Sequence, residues 1–338
     1  MGYPVTVGHP ISREEARRVA ESGARAAAAL VKPDGRFAYR THDGAELSGY
    51  NLLRHCGTAW AIADIANALG GLDDARSDAA RAMAYIADHR IRMLGGHACV
   101  SSGRATKLGG AGLAILALAA LDGEGQGGRF RDLAGSLADF ILACRRDDGD
   151  FHHKLEVKTG RVLNFRSEYY TGEALFGLLA LHRLTGRRDL LDMAADSIAR
   201  LQAQDYGVTQ QSHWMVYAIA SLHALTGERR LLDYAGAICA HIIDFPAYRE
   251  RNRSTPIACR TEAFMAYADM LVRAGGPGKG PDAGALMAAA DENIWLMLRH
   301  RQNDGAFIGG DDRPEVQIDY IQHASSAFLG YYRNHDLH

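Results

Sequence analysis

Cysteine is scarce in this chain. Cys56, Cys99, Cys144, Cys239 and Cys259 are odd in number and scattered, with no Cys-x-x-Cys pair, so neither a disulfide framework nor a zinc knuckle is indicated and buried free thiols are expected. An excess of one charge is missing as well. With 38 Lys and Arg against 40 Asp and Glu the net charge is −2, which leaves no electrostatic footprint for nucleic acid or anionic lipid. No uninterrupted apolar run approaches the roughly 20 residues that a membrane span needs. The opening MGYPVTVGHPISREEARR has no apolar signal core, so a cytoplasmic protein is expected. No Ser- or Pro-rich linker divides the chain, and residues 1–338 read as one domain. What is present is 47% hydrophobic residues, enough for a sizeable core, and a charge balance suited to a neutral or mildly charged small ligand.

One unit organises the rest. Asp148-Gly149 is a turn pair, Phe151 to Leu163 alternates with Thr159-Gly160 at the bend of a hairpin, and an apolar helical run begins at Tyr170. The same unit recurs from Asp34-Gly35 and from Asp304-Gly305. A shorter pair, ALHRLTGRRDLLD from Ala180 and SLHALTGERRLLD from Ser221, repeats after 41 residues. Repeats of this period mean stacked helix pairs.

Ser12 and Glu15 form a capping box that opens a helix running to about Val31. Five more helices of this charge-decorated kind are expected at about Asp74–His89, Arg129–Arg145, Asp189–Gln202, Arg229–Ile243 and Ala283–Leu298. Between them lie six helices poorer in charge and richer in Ala, Gly and aromatics. These span about Arg54–Leu69, Gly109–Leu121, Tyr170–Leu184, Ser212–Leu225, Arg260–Leu271 and Gln322–Tyr332. A helix apolar all round is shielded on all sides. Six shielded helices alternating with six exposed ones describe an all-α (α/α)6 toroid, an inner ring inside an outer one; an open solenoid is the alternative. The connections leading into inner helices are long, so loops and short β-hairpins cover one mouth of the ring.

The first turns of the inner helices, all at that mouth, carry the polar residues. Candidate catalytic residues are Glu173, His213, Glu262, Asp319 and His323; candidate substrate-binding residues are Arg54, His55, Glu168, Tyr169, Tyr170, Gln211, Trp214, Arg260 and Tyr320. Acids and imidazoles transfer protons, guanidiniums hold a carboxylate or phosphate, and aromatic faces cover pyranose C–H surfaces. Each has a plainer reading. The histidines can be satisfied half-buried side chains, Glu173 and Glu262 can complement helix dipoles, Arg54 and Arg260 can pair with acids, and the aromatics can be core. His152-His153 and His97-Ala98-Cys99 lack a defined ligand spacing and are expected to be solvated loop residues, as Asp311-Asp312 is expected to be a solvated turn. No metal and no cofactor are expected.

The six helix pairs, the Asp-Gly turns ahead of inner helices and the Gly/Ala-rich inner ring resemble the six-hairpin toroid superfamily. It includes six-hairpin glycosidases, N-acylglucosamine 2-epimerase-like sugar isomerases and toroidal polysaccharide lyases, with terpenoid cyclases on a related layout. Gln210-Gln211-Ser212-His213-Trp214 is similar to a helix start of toroidal alginate lyases. The Asp-x-Asp-Asp of terpenoid cyclases and the Cys-His-Gly of lanthionine cyclases are missing. The resemblance implies a carbohydrate-active enzyme, a glycoside hydrolase, sugar epimerase or lyase, working by general acid–base chemistry on a small-molecule or oligosaccharide substrate. Hydrolysis would draw on Glu173, Glu262 and Asp319; epimerisation would use His213 and His323 as bases on opposite faces. The alternatives are a non-catalytic α-solenoid that binds a peptide or protein and a terpenoid or peptide cyclase.

Overall fold

The computed structural model describes residues 11–122, 128–276 and 278–337; the opening residues 1–10, on which the leader reading partly rests, lie outside them. Twelve α-helices are found among the described residues. The outer ones are α1 (Arg13–Ala29), α3 (Asp73–His89), α5 (Arg129–Ala143), α7 (Arg188–Gln202), α9 (Arg229–Asp244) and α11 (Ala283–Leu298). The inner ones are α2 (Leu52–Leu69), α4 (Leu108–Ala120), α6 (Tyr170–Thr185), α8 (His213–Thr226), α10 (Ser254–Ala274) and α12 (Ile318–Asn334). Each inner helix packs against the next, and α12 closes on α2. This is the (α/α)6 toroid expected from the alternation of shielded and exposed helices. No described helix is long and apolar enough to cross a membrane.

The Asp-Gly units are one turn built three times. Asp34, Asp148 and Asp304 each accept the backbone N–H two residues on, at 2.9, 3.1 and 2.9 Å. Gly35, Gly149 and Gly305 follow with φ of 83°, 89° and 89°, a region open to glycine at little cost. A Cβ there would also press on the next outer helix: on Arg81 of α3, Arg200 of α7 and, for Gly305, Ser22 of α1. The last of these contacts joins the end of the ring to its start, helped by Arg301 donating to the Ser22 hydroxyl at 3.0 Å.

The capping box at α1 is present, with the Ser12 N–H on the Glu15 carboxylate at 2.8 Å and the Glu15 N–H on Ser12 Oγ at 3.2 Å. The long loops contribute two four-stranded antiparallel sheets. In the first, β1 (Arg40–His42) and β2 (Ala45–Glu46) join β7 (Ile308–Gly310) and β8 (Arg313–Gln317), in the order β2-β1-β8-β7, again tying the two ends of the chain. The second runs in sequence order through β3 (Ile91–Leu94), β4 (His97–Ser102), β5 (Ala105–Lys107) and β6 (Lys154–Glu156).

Glycines set how closely the inner helices approach. A Cβ on Gly112 of α4 would overlap the Glu173 carbonyl of α6, one on Gly172 would lie 2.6 Å from the backbone of α8, and one on Gly330 would lie 2.7 Å from Met265 of α10. The narrow ring that results brings the first turns of opposite helices within reach of one another. Two helices start more than two residues before the places the sequence suggests. α10 begins at Ser254, not Arg260, because Pro256 sits in the first turn, where its missing N–H costs nothing; α12 begins at Ile318, not Gln322, directly off β8.

Candidate active site

A cavity of about 350 Å³ opens at the mouth covered by the long loops, lined from α2, α4, α6, α8, α10 and α12. A larger one, about 780 Å³, lies at the opposite end. There the last-turn residues Arg183, Arg273 and Arg333 complement helix C-termini. Tyr217 and Glu262 line its inner wall, and the other candidate acids and the imidazoles belong to the loop-covered end.

His213 and His323 line the smaller cavity, and behind them, between the two cavities, stands Glu262. Its early helix start places Glu262 in the third turn of α10 instead of the first, with a side chain fully enclosed. Its Oε2 lies 2.8 Å from His323 Nδ1 and 3.9 Å from His213 Nε2, while Tyr217 donates to its Oε1 at 3.1 Å. The two imidazoles meet edge to face, centroids 5.3 Å apart. Burial, with His323 and Arg260 nearby, holds His213 well below the usual histidine range. Burial alone would lower His323 too, but Cys259 and Glu262 beside it outweigh that and hold it well above. Glu262 is itself raised by burial, against the pull of His323 and Tyr217. The His323–Glu262 pair therefore holds on to its proton, and His213 stays neutral. Neither ring nitrogen of His213 has a hydrogen-bond partner.

Glu173 forms part of the wall, in the first turn of α6 below Tyr170. Gly109 leaves the space for its carboxyl, since any Cβ there would overlap Oε2. That oxygen is buried without a hydrogen-bond partner. Burial pushes the group up to about 8 against the opposing pull of His323, so it is protonated at neutral pH.

Asp319 is committed elsewhere. It pairs with Arg54 Nε at 3.0 Å and accepts from the Gln317 amide at 2.6 Å, while Arg54 also donates to the Tyr39 hydroxyl at 2.6 Å. The acid thus aims a half-exposed guanidinium at the cavity. Arg260 is aimed in the same way by Gln211 at 3.1 Å and by the Tyr248 ring. Tyr169, Tyr170 and Trp214 supply aromatic faces, Tyr169 being 37% exposed at the entrance.

Five candidate residues do not line the cavity: Glu262 stands behind its histidines, Gln211 reaches it only through Arg260, and His55, Glu168 and Tyr320 are turned away from it. His55 turns toward α3, its Nδ1 2.7 Å from the Tyr50 hydroxyl and its Nε2 2.9 Å from the Ala82 carbonyl, and burial lowers it to about 4. It is a satisfied structural histidine. Glu168 is exposed beside the mouth, and Tyr320 packs against Gly309 of the β7–β8 hairpin. Two solvated-loop expectations also need correction. His153 is buried, accepting the Ser167 N–H at 2.9 Å and bonded to Thr171 at 3.1 Å. His97 and Cys99 sit in β4, paired with β3, and Cys99 is fully buried. Asp311 and Asp312 do occupy an exposed turn, where they hold Asn252 and Arg253.

Two residues were not among the candidates: Cys259, which lines the cavity, and Tyr217, which holds Glu262 from the side of the larger one. Cys259 lies three before Glu262 on one face of α10, and Tyr217 lies four after His213 on α8; both spacings mark a shared helix face once the helix start is fixed. Asn51, which caps α2 and lines the cavity, carried the ordinary signal of an amide before a helix.

The chain is an (α/α)6 six-hairpin toroid with a polar pocket at one mouth. No protein-family model matches it, and no curated protein sequence does. Solved structures similar to it include a D-mannose isomerase, with a TM-score of 0.73 at 12% identity over 98% of this chain and 100% of that one. A cellobiose 2-epimerase from Bacillus thermoamylovorans gives 0.75 at 13% identity over 95% and 98%. An α-1,6-mannanase of Salegentibacter, an inactive variant in complex with α-1,6-mannotriose, gives 0.65 at 14% identity over 94% and 99%. At such identities the likeness is one of fold.

Proposed function

We propose that this protein is a carbohydrate-active enzyme that shifts a proton at the carbon beside the carbonyl of a reducing sugar, an epimerase or isomerase. The observation that carries this reading is the meeting of His213 and His323 edge to face at the cavity floor, both within reach of one buried carboxylate, Glu262. In this reading neutral His213 takes the carbon-bound proton, and the C–H electron pair passes into an enolate. Glu173, as a neutral acid, donates a hydrogen bond to the oxygen where that charge collects. His323, kept protonated beside Glu262, returns a proton. Return to the opposite face of the same carbon gives the epimer; return to the neighbouring carbon, with the hydroxyl proton passing from its oxygen to the former carbonyl oxygen, gives the isomer. Arg54 and Tyr169 hold the sugar hydroxyls and ring.

Hydrolysis is less well supported, because it needs two carboxyl groups across the scissile bond. Asp319 is occupied by Arg54 and Gln317, and the Glu262 side chain is enclosed, which leaves Glu173. A peptide-binding solenoid is less well supported too, since α12 closes on α2 and leaves no open concave surface. The neighbours named as mannose isomerase and cellobiose 2-epimerase make reducing hexoses and their disaccharides the first substrates to try. Each catalytic proton-transfer group contributes about 10²–10⁴-fold, so the double variant His213→Ala, His323→Ala should lose at least that much turnover on any sugar the wild type converts. Full activity in the double variant would remove the reading.

A further inference from the structure

His213, Cys259, Glu262 and His323 each offer one donor atom, and these atoms all lie within 4.8 Å of one another on four buried side chains. His213 is 2% exposed, and both its ring nitrogens lack a hydrogen-bond partner. Buried polar side chains are nearly always paired, so an imidazole aimed into a donor cluster without a partner points to something that completes it. We propose that these four side chains bind a divalent transition ion of the zinc type and that the ion switches the enzyme off; the second half rests on the epimerase or isomerase reading, the first does not.

The donor set decides the class of ion. Two imidazoles, a thiolate and a carboxylate suit Zn²⁺ or Co²⁺, whereas Ca²⁺ and Mg²⁺ take oxygen ligands. Tetrahedral bonds of about 2.0–2.3 Å set ligand atoms about 3.3–3.8 Å apart. His213 Nε2 is already 3.9 Å from Glu262 Oε2, and the widest separation in the set is 4.8 Å. Side-chain adjustments of about 1 Å would close the shell, without moving a helix. The Tyr217 hydroxyl fixes Oε1 of Glu262 and leaves Oε2 for the ion, the kind of outer contact that orients a ligating carboxylate. Binding releases the Cys259 thiol proton and the proton shared by His323 and Glu262 to solvent. A His213 lone pair bound to a metal cannot take a proton from a sugar, so occupancy and turnover exclude each other.

Chelator-treated protein titrated with Co²⁺ should take up a single ion, with a thiolate-to-cobalt charge-transfer band in the near ultraviolet and intense visible bands of a tetrahedral ion. Cys259→Ser should lose the charge-transfer band, although Cys56, Cys99, Cys144 and Cys239 remain. His213→Ala should bind Co²⁺ at least about a hundredfold more weakly. Zn²⁺ should displace Co²⁺ and stop sugar turnover, and a chelator should restore it. Cys259→Ser should need at least about tenfold more Zn²⁺ for the same fractional loss, measured against its own metal-free rate. An unchanged spectrum at millimolar Co²⁺, or a wild-type charge-transfer band in Cys259→Ser, would overturn the site. A cobalt-loaded protein that still converts its sugar at the full rate would overturn the switch. Tight cobalt binding by a protein that converts no sugar would support the site and count against the enzymatic reading alone.

Discussion

Glu173 has an enclosed Oε2 without a hydrogen-bond partner and a pKa that burial pushes up to about 8. The folded protein therefore holds a proton that the unfolded chain, with an ordinary value of 4.5, gives up. The consequence for stability has a definite sign: this group's contribution is fully present below pH 4.5 and is lost as pH rises through about 8. Glu173→Gln keeps the shape and the hydrogen-bond donor but removes the titration. Its melting temperature should match wild type near pH 5 and exceed it increasingly toward pH 8. Turnover should fall about a hundredfold or more, because an amide donor gives less to a developing oxyanion than a carboxylic acid does. A variant with unchanged rate, or one that fails to fold at pH 7, would place Glu173 among the structural residues. At this scale the site is partly legible in sequence. Glu173, His213 and His323 all fall within the first two turns of their inner helices. His55 was misplaced for a geometric reason: Arg54 points to the cavity, and the next residue on a helix is turned about 100° away, here into α3.

Gly112 and Gly177 face each other between α4 and α6. A Cβ on Gly177 would lie 2.6 Å from the Gly112 carbonyl oxygen, and one on Gly112 would overlap the Glu173 backbone. Alanine in a helix normally gains up to about 1 kcal/mol over glycine. Here the collision is with backbone, which cannot swing aside as a side chain can, and overpacking of this kind costs about 1–3 kcal/mol. Gly112→Ala should therefore lower the melting temperature measured by circular dichroism and, by spreading α4 from α6, lower sugar turnover as well; a melting temperature equal to or above wild type would show the two helices can part freely. The glycine-rich character of the inner helices was plain in the sequence, and most helix ends fell within two residues of their places. The sequence suggests an α10 that starts six residues late, because Ser254-Thr255-Pro256 looks like a loop, although proline in a first turn is a common helix opening. That error hid Cys259 and put Glu262 in the wrong turn.

For the whole ring, closure is what turns six separate helix starts into one pocket. Gly305 docks on α1, β8 pairs with β1 and α12 packs on α2, so residues far apart in the chain, Arg54 and Asp319 among them, share a wall. Periodicity in the sequence revealed the number of helix pairs, and the likeness of the three Asp-Gly units revealed their common geometry. It could not reveal which first-turn side chains face the axis, since that depends on rotations of each helix fixed only by packing. The reading of His213 and His323 as a proton-transfer pair is tested most directly by following a converted reducing sugar by proton NMR in deuterium oxide. The carbon-bound hydrogen beside the carbonyl should exchange for deuterium in step with appearance of the epimer or isomer, and the exchange should vanish in His213→Ala. Exchange that persists at the wild-type rate in that variant, or a product that is a cleaved glycoside with no label at this carbon, would contradict it.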